Sequence, residues 1–228
     1  HIDSMGVHKS YNFMEQTKYI NDLIEIKNII LFFKVEFPTD LEFLILRMTT
    51  ILNEYFHKDG SLALFNGCNN NFSSEIKNIL KMQNFLKKRH YSEKENGIAF
   101  YNDKNKNLYF DVVQPTKFGF SKNLSAGTLS FEFSALEEKI ITNCGASNIG
   151  GKNPEYLRYS AAHSTIIINN TNISEIKAQS THIKYPQKVT FNKSSNEFLT
   201  IFEGSHNGYM NKFKKVIKRK ISIDNVNN

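Results

Sequence analysis

The chain has 228 residues, a 40% hydrophobic fraction, 19 Phe and 10 Tyr, enough apolar surface for one large core or two small ones. Its formal charge of +7 favours polyanionic partners such as nucleic acid, an anionic membrane surface or an acidic polysaccharide, and fits a lysine-rich soluble surface equally well. Two cysteines, Cys68 and Cys144, exclude a disulfide scaffold and read as buried, unlinked thiols; no apolar run approaches the ~20 residues of a membrane span.

In chain order, the first elements are helical. Ile20, Leu23, Ile24, Ile30 and Leu31 recur at helical spacing, and Thr17 is the expected cap of a helix running to Lys34. Phe37-Pro38 ends it, because proline disfavours helix in the residue before it. Thr39-Asp-Leu-Glu42 reads as a capping box for a second helix through Phe56, burying Leu41, Leu44, Ile45, Met48, Ile51, Leu52 and Tyr55. A turn at Lys58-Asp-Gly60 stops it, and Ser73 or Ser74 is the expected cap of a third helix through Phe85.

The apolar period then shortens from about 3.6 residues to 2. Ile98–Tyr101 and Leu108–Val113 read as a hairpin around Asn102–Asn105. Further strands are expected at Thr128–Ser134, Lys139–Asn143, Ser164–Asn169, Val189–Asn192, Phe198–Glu203 and Phe213–Ile223, with Asn, Gly, Ser or Pro in most gaps. The predicted fold class is α+β: helical hairpins over residues 1–89, then an antiparallel β-sandwich over 90–228. The boundary falls at Lys87-Lys-Arg-His90. No phosphate-cradling glycine loop or dinucleotide fingerprint is present. The positive charge is scattered and carries no nucleic-acid module, so no nucleic-acid partner is expected.

Three segments carry an ordered pattern: Ser125-Ala-Gly-Thr-Leu-Ser-Phe-Glu-Phe-Ser134, Asn143-Cys-Gly-Ala146, and Arg158-Tyr-Ser-Ala-Ala-His-Ser-Thr-Ile-Ile-Ile168. This set resembles the β-sheet domain of heparinase II/III-like polysaccharide lyases. The likeness extends to His1-Ile-Asp-Ser4 and to Asp59-Gly-Ser-Leu-Ala-Leu-Phe-Asn-Gly67, which are similar to late segments of that family's helical toroid. It also takes in His206-Asn-Gly-Tyr209, Phe213 and Lys218-Arg-Lys220, which resemble a turn and basic strand of one bacterial branch. The resemblance implies the end of an (α/α) toroid followed by a truncated sandwich. Both ends read as cut: the chain opens at His1 and stops at Asn228, just after a strand-like stretch.

What the resemblance implies is β-elimination on a uronic-acid-containing, anionic polysaccharide. The uronate carboxylate is neutralised, a base such as Tyr or His takes the C5 proton, and an acid protonates the leaving oxygen. The cleft would lie between toroid and sheet. His163 and Tyr209 are the catalytic candidates, and Arg158, His206 and His90 the substrate-binding ones, Arg158 through its bidentate fork. His163 is read equally as a strand histidine hydrogen-bonded in a partly buried site, and Arg158 as a loop anchor. His163, His182 and His206 are weak candidates for a structural zinc, their spacing carrying no signature. A periplasmic or cell-envelope setting goes with the family.

The pattern departs from the family in places. Ser125 stands where many members have His, and His163-Ser-Thr where a typical member reads His-Asn-Thr. The Tyr-containing N-terminal segment is represented only by Gly6-Val-His8-Lys-Ser-Tyr11, so His8 or Tyr11 would stand in for it. The Asn that neutralises the uronate would lie upstream of His1. This fragment alone is therefore expected to be inactive, and the alternative to a lyase is a glycan-binding protein of the same fold.

Overall fold

The computed structural model describes residues 1–69, 77–79, 97–115, 124–147, 154–176 and 184–226. Helix α1 spans Phe13–Phe32 and begins five residues earlier than its apolar spacing predicts, because Asn12 and not Thr17 is the cap. The Asn12 side-chain oxygen accepts from the Met14 and Glu15 amides at 2.9 and 3.0 Å, satisfying two of the donors a helix start leaves open. Thr17 instead donates its hydroxyl to the Phe13 carbonyl, one turn back. Helix α2 spans Thr39–Asn53. Thr39 is its first helical residue and Pro38 its cap, so the expected capping box does not form. Of the predicted third helix, residues 77–79 are helical; its remainder and the Lys87–His90 boundary lie outside the described residues.

The strands form two antiparallel sheets. The first has the order β1 (Ile98–Asn102), β2 (Lys106–Asp111), β3 (Phe131–Ala135), β4 (Glu138–Ile141). The second has β5 (Val189–Ser195), β6 (Leu199–His206), β7 (Ile217–Asp224), with a short helix α3 (Met210–Phe213) between β6 and β7. The expected strand Ser164–Asn169 is absent. In its place two 3-10 turns, Glu155–Arg158 and Ser160–Ala162, lead to irregular chain with one isolated bridge, Ile168 to Thr171. Side-chain hydroxyls there do what a ladder would have done: Ser164 Oγ donates to the Phe131 carbonyl and Thr165 Oγ1 to that of Thr128. The last strand starts at Ile217 and not Phe213, since Lys214 adopts a left-handed conformation after α3.

Three layers result: helices, first sheet, second sheet. Alternation along β2 explains the stacking. Tyr109 joins the helical cluster of Phe13, Ile20, Met48, Leu52 and Tyr55. Leu108 and Phe110 point the other way, into a cluster with Leu129 and with Phe202 and Ile223 of the second sheet. A strand covered on both faces reads as a near-continuous apolar run, as Leu108–Val113 does. Each fully buried side chain of this size contributes about 1.5–3 kcal/mol. Tyrosines tie the helices to the first sheet: Tyr55 donates to the Ile98 carbonyl at 2.9 Å and Tyr109 to that of Phe56 at 2.7 Å. Cys68 is buried and free, whereas Cys144, expected to be buried, is exposed.

The chain entering α1 is braced against α2 through Gly6. Its φ of +92° suits glycine, and a Cβ there would stand 2.7 Å from the Arg47 carbonyl carbon. Gly6→Ala is therefore expected to destabilise the fold by at least about 1–3 kcal/mol from backbone strain, read as a lowered thermal midpoint.

Candidate functional site

The site is built on Leu124–Ser130, an irregular strip held between the helical layer and the 3-10 turns. On one side the Ser125 amide donates to Asn66 Oδ1 at 3.3 Å. Asn66 also accepts, on its carbonyl, a bond from the Asn12 side chain at 2.8 Å, and its own amide group reaches the Tyr11 carbonyl. Asn66 and Gly67 both have positive φ. The Asp59–Gly67 segment therefore ends in a turn that lays one amide side chain between two loops. On the other side Arg158 Nε and Nη2 donate to the Leu124 carbonyl at 3.2 and 3.1 Å, while the Ala126 amide donates to the Arg158 carbonyl. Ser160 Oγ closes the clamp, donating to the Ala126 carbonyl at 2.8 Å. Burial pulls the Arg158 pKa down and Glu155 opposes it.

His163 follows the second 3-10 turn, in extended backbone and not on a strand. Its ring lies against Gly127, where a Cβ would stand 3.2 Å from His163 Cγ and 3.3 Å from Ser130 Oγ. The glycine of the Ser-Ala-Gly strip is thus there for close approach. Burial holds the His163 pKa down to about 4, against the opposing pull of Glu132 and the Leu157 carbonyl. The imidazole is neutral at pH 7, the form that accepts a proton. Among the described residues its Nε2 has no hydrogen-bond partner, and the same is true of buried Ser130 Oγ and Asn143 Nδ2. Asn143 belongs to this neighbourhood, since its Oδ1 accepts from the Ser164 amide at 3.0 Å. Buried polar atoms are rarely left unpaired, which sets this neighbourhood apart as a candidate polar site.

Tyr209 and His206 do not project from an open turn. Each is 1% exposed. The Tyr209 hydroxyl donates to the Ile166 and Thr171 carbonyls at 3.1 and 2.9 Å, and burial raises its pKa. His206 Nδ1 accepts from the Gly208 amide at 3.1 Å; burial, with Arg219 adding to it, lowers its pKa to about 4. As placed, this pair anchors the 166–171 turn to the second sheet. His90 and His182 lie outside the described residues. Among the described residues no group of three or more His, Cys, Asp or Glu side chains stands ready for a metal.

The strongest polar cluster was not apparent from the sequence. Glu132 and His57 side chains are both 0% exposed and meet at 2.9 Å. Glu132 Oε2 accepts from His57 Nε2 and from the Leu64 amide at 3.1 Å. Its Oε1 accepts from the Asn143 amide at 2.8 Å and from Thr142 Oγ1 at 3.1 Å. A carboxylate only accepts, so His57 carries its proton on Nε2, and Nδ1 faces Ser134 Oγ at 2.7 Å. The available signal was an acidic residue in a strand flanked by phenylalanines, Phe131-Glu-Phe133, with a His just before the Lys58-Asp-Gly60 turn. Tyr11 enters from sequence only as a stand-in for the N-terminal tyrosine segment. Its φ is +49°, its ring packs against Gly97, and burial, reinforced by Asp3 and Asp111, pushes its pKa up to about 12.

A family model described as Heparinase II/III-like, C-terminal, matches residues 90–227. Among solved structures, heparan sulfate lyase HepC from Pedobacter heparinus superimposes with a TM-score of 0.69 at 14% identity, covering 98% of this chain and 37% of that one. Heparinase III superimposes with a TM-score of 0.67 at 12% identity, covering 98% and 38%. At such identities the likeness establishes the fold, and this chain spans well under half the length of those proteins. No protein with a curated description matches the chain.

Two outcomes follow from the buried groups. Glu132→Ala, which strands the Leu64 and Asn143 amides and His57, is expected to cost about 3–5 kcal/mol in urea unfolding. In an NMR titration the rings of His163 and His206 should stay neutral down to about pH 4, well below the ordinary histidine range.

Proposed function

The chain belongs to the heparinase II/III-like family, and from that premise we propose that it forms part of a lyase cleaving a uronic-acid-containing polysaccharide by β-elimination. The observation that carries this reading is His163: a neutral imidazole set against Gly127, with a buried Nε2 that no described residue engages. Solved structures that share the fold include a heparan sulfate lyase, and the charge of +7 suits an acidic substrate.

In this reading His163 Nε2 takes the C5 proton. The C5–H electron pair forms the C4–C5 double bond while the C4–O bond breaks, and an acid returns a proton to the leaving oxygen. Tyr11 suits the acid, because a phenol whose pKa is about 12 keeps its proton at pH 7. Arg158, beside Ser125, supplies positive charge for the uronate carboxylate, whose neutralisation lets charge build at C5. Tyr209 and His206 hold the turn that follows His163. Residues beyond this chain complete the constellation, so the activity is that of the intact protein, in a periplasmic or cell-envelope setting.

A second reading, a glycan-binding protein of the same fold, draws on Ser125. It stands where many members have His, and its amide is engaged with Asn66.

The test is ultraviolet absorbance of the unsaturated uronate, followed while the intact protein is incubated with heparan sulfate, alginate and other uronans. The expected outcome is product formation that His163→Ala lowers by roughly 10²–10⁴-fold in kcat, with the fold unchanged by circular dichroism. Silence on every uronan with binding retained would instead establish the glycan-binding protein.

A further inference from the structure

We infer that the outward face of the β5–β6–β7 sheet is a second binding surface for anionic polysaccharide, on the side of the molecule away from the helices. Strand alternation divides the residues of this sheet cleanly. Phe191, Phe202, Ile217, Ile221 and Ile223 face the first sheet. The opposite face carries lateral rows read from the pairing register: Thr190, Ser205 and Lys218 in one, Asn192, Glu203 and Lys220 in the next.

Those six residues line a shallow depression of about 480 Å³, in the size range of small-ligand sites. Thr190 and Ser205 hydroxyls meet at 2.6 Å, and Lys220 lies 3.5 Å from Glu203. The surface thus offers hydroxyl, amide, carboxylate and ammonium groups, the set that binds sugar hydroxyls together with acidic substituents. Charge selects the acidic sugar. Lys218 and Lys220 stand against Glu203 as the one acid in these rows. Alternation turns Arg219 inward, to the Leu129 and Ser164 carbonyls and over the Phe131 ring, and leaves Lys218 and Lys220 exposed. Their spacing along the strand is about 7 Å, so two separate acidic groups of one chain can be engaged. The face is on the opposite side of the second sheet from Ser164, the neighbour of His163, whose carbonyl Arg219 reaches from the inward side. A long polymer held at both places would be retained by raised local concentration.

That the occupant is a glycan rests on the reading given above; the test keeps the two apart by measuring binding and not turnover. Binding of heparan sulfate and of alginate to the intact protein is measured by calorimetry at two salt concentrations. Lys218→Glu/Lys220→Glu is expected to weaken binding about tenfold or more and to flatten its salt dependence. Thr190→Ala/Ser205→Ala, which leaves the charge untouched, should weaken it several-fold, while His163→Ala should leave polymer affinity at this face in place. Wild-type affinity in both double variants would overturn the proposal, as would equally tight binding of double-stranded DNA. Loss of binding in these variants without any lyase activity in the wild type would sustain the surface and remove only the lyase.

Discussion

The fold is held at one carboxylate. Glu132 is the second residue of β3, fully buried, and each of its oxygens takes two donors: His57 Nε2 and the Leu64 amide from the helical side, Thr142 Oγ1 and the Asn143 amide from the chain just after β4. A buried carboxylate is tolerated only with its lone pairs occupied, so these four groups must converge on it together. That requirement fixes how the end of α2 meets the first sheet. It also fixes where Asn143 sits, and Asn143 in turn receives the amide next to His163. The polar cluster therefore couples the helical layer to the turn that carries the candidate base.

Around this point the chain avoids regular structure where the chemistry is expected. Leu124–Phe131 and the segment from Glu155 to Ile168 pair with each other through Ser160, Ser164, Thr165 and Arg158 side chains instead of through a backbone ladder. Side-chain straps let a histidine ring come so close to Gly127 that a Cβ there would stand 3.2 Å from it, an approach that a strand with side chains at every position would not allow. The two sheets and the helices supply rigid support on either side, and loops held by a rigid scaffold are where binding groups are usually placed.

Much of this was legible in the chain. Alternation gave the strands of both sheets within an antiparallel sandwich, and helical spacing gave α1 and α2 to within about five residues. The misses have local causes. Asn12 caps α1 because its amide oxygen reaches two backbone donors, a fact that apolar periodicity does not carry. Ser164–Ile168 has the β-branched composition of a strand, yet its hydroxyls compete for the neighbouring carbonyls and prevent pairing. Tyr209 is a catalytic candidate by sequence, but two carbonyls of a segment some forty residues earlier engage its hydroxyl. His57 and Glu132 stand far apart in the chain, and nothing in either local pattern says that they meet. His163 was found through the ordered motif; its neutrality was not, because that depends on burial by Gly127 and its surroundings.

Burial also sets opposing pH dependences within the same structure. His163 and His206 have folded-state pKa values of about 4, below the ordinary 6.5. Their contribution to stability is fully present above the unfolded value and is lost as the pH falls through 6.5 toward 4, because the unfolded chain binds the protons more readily. Asp111 behaves in reverse. Burial raises its pKa from 3.8 to about 7, in spite of the Val113 amide bonded to it. Its contribution is present below the unfolded value and is lost as the pH rises toward 7. The two imidazoles and the carboxyl thus titrate against one another over the same interval. The fold can keep a neutral base at His163 without resting its whole acid stability on it, and Asp111, whose charge bears on Tyr11, places the compensating group on the side of the site where the N-terminal segment enters.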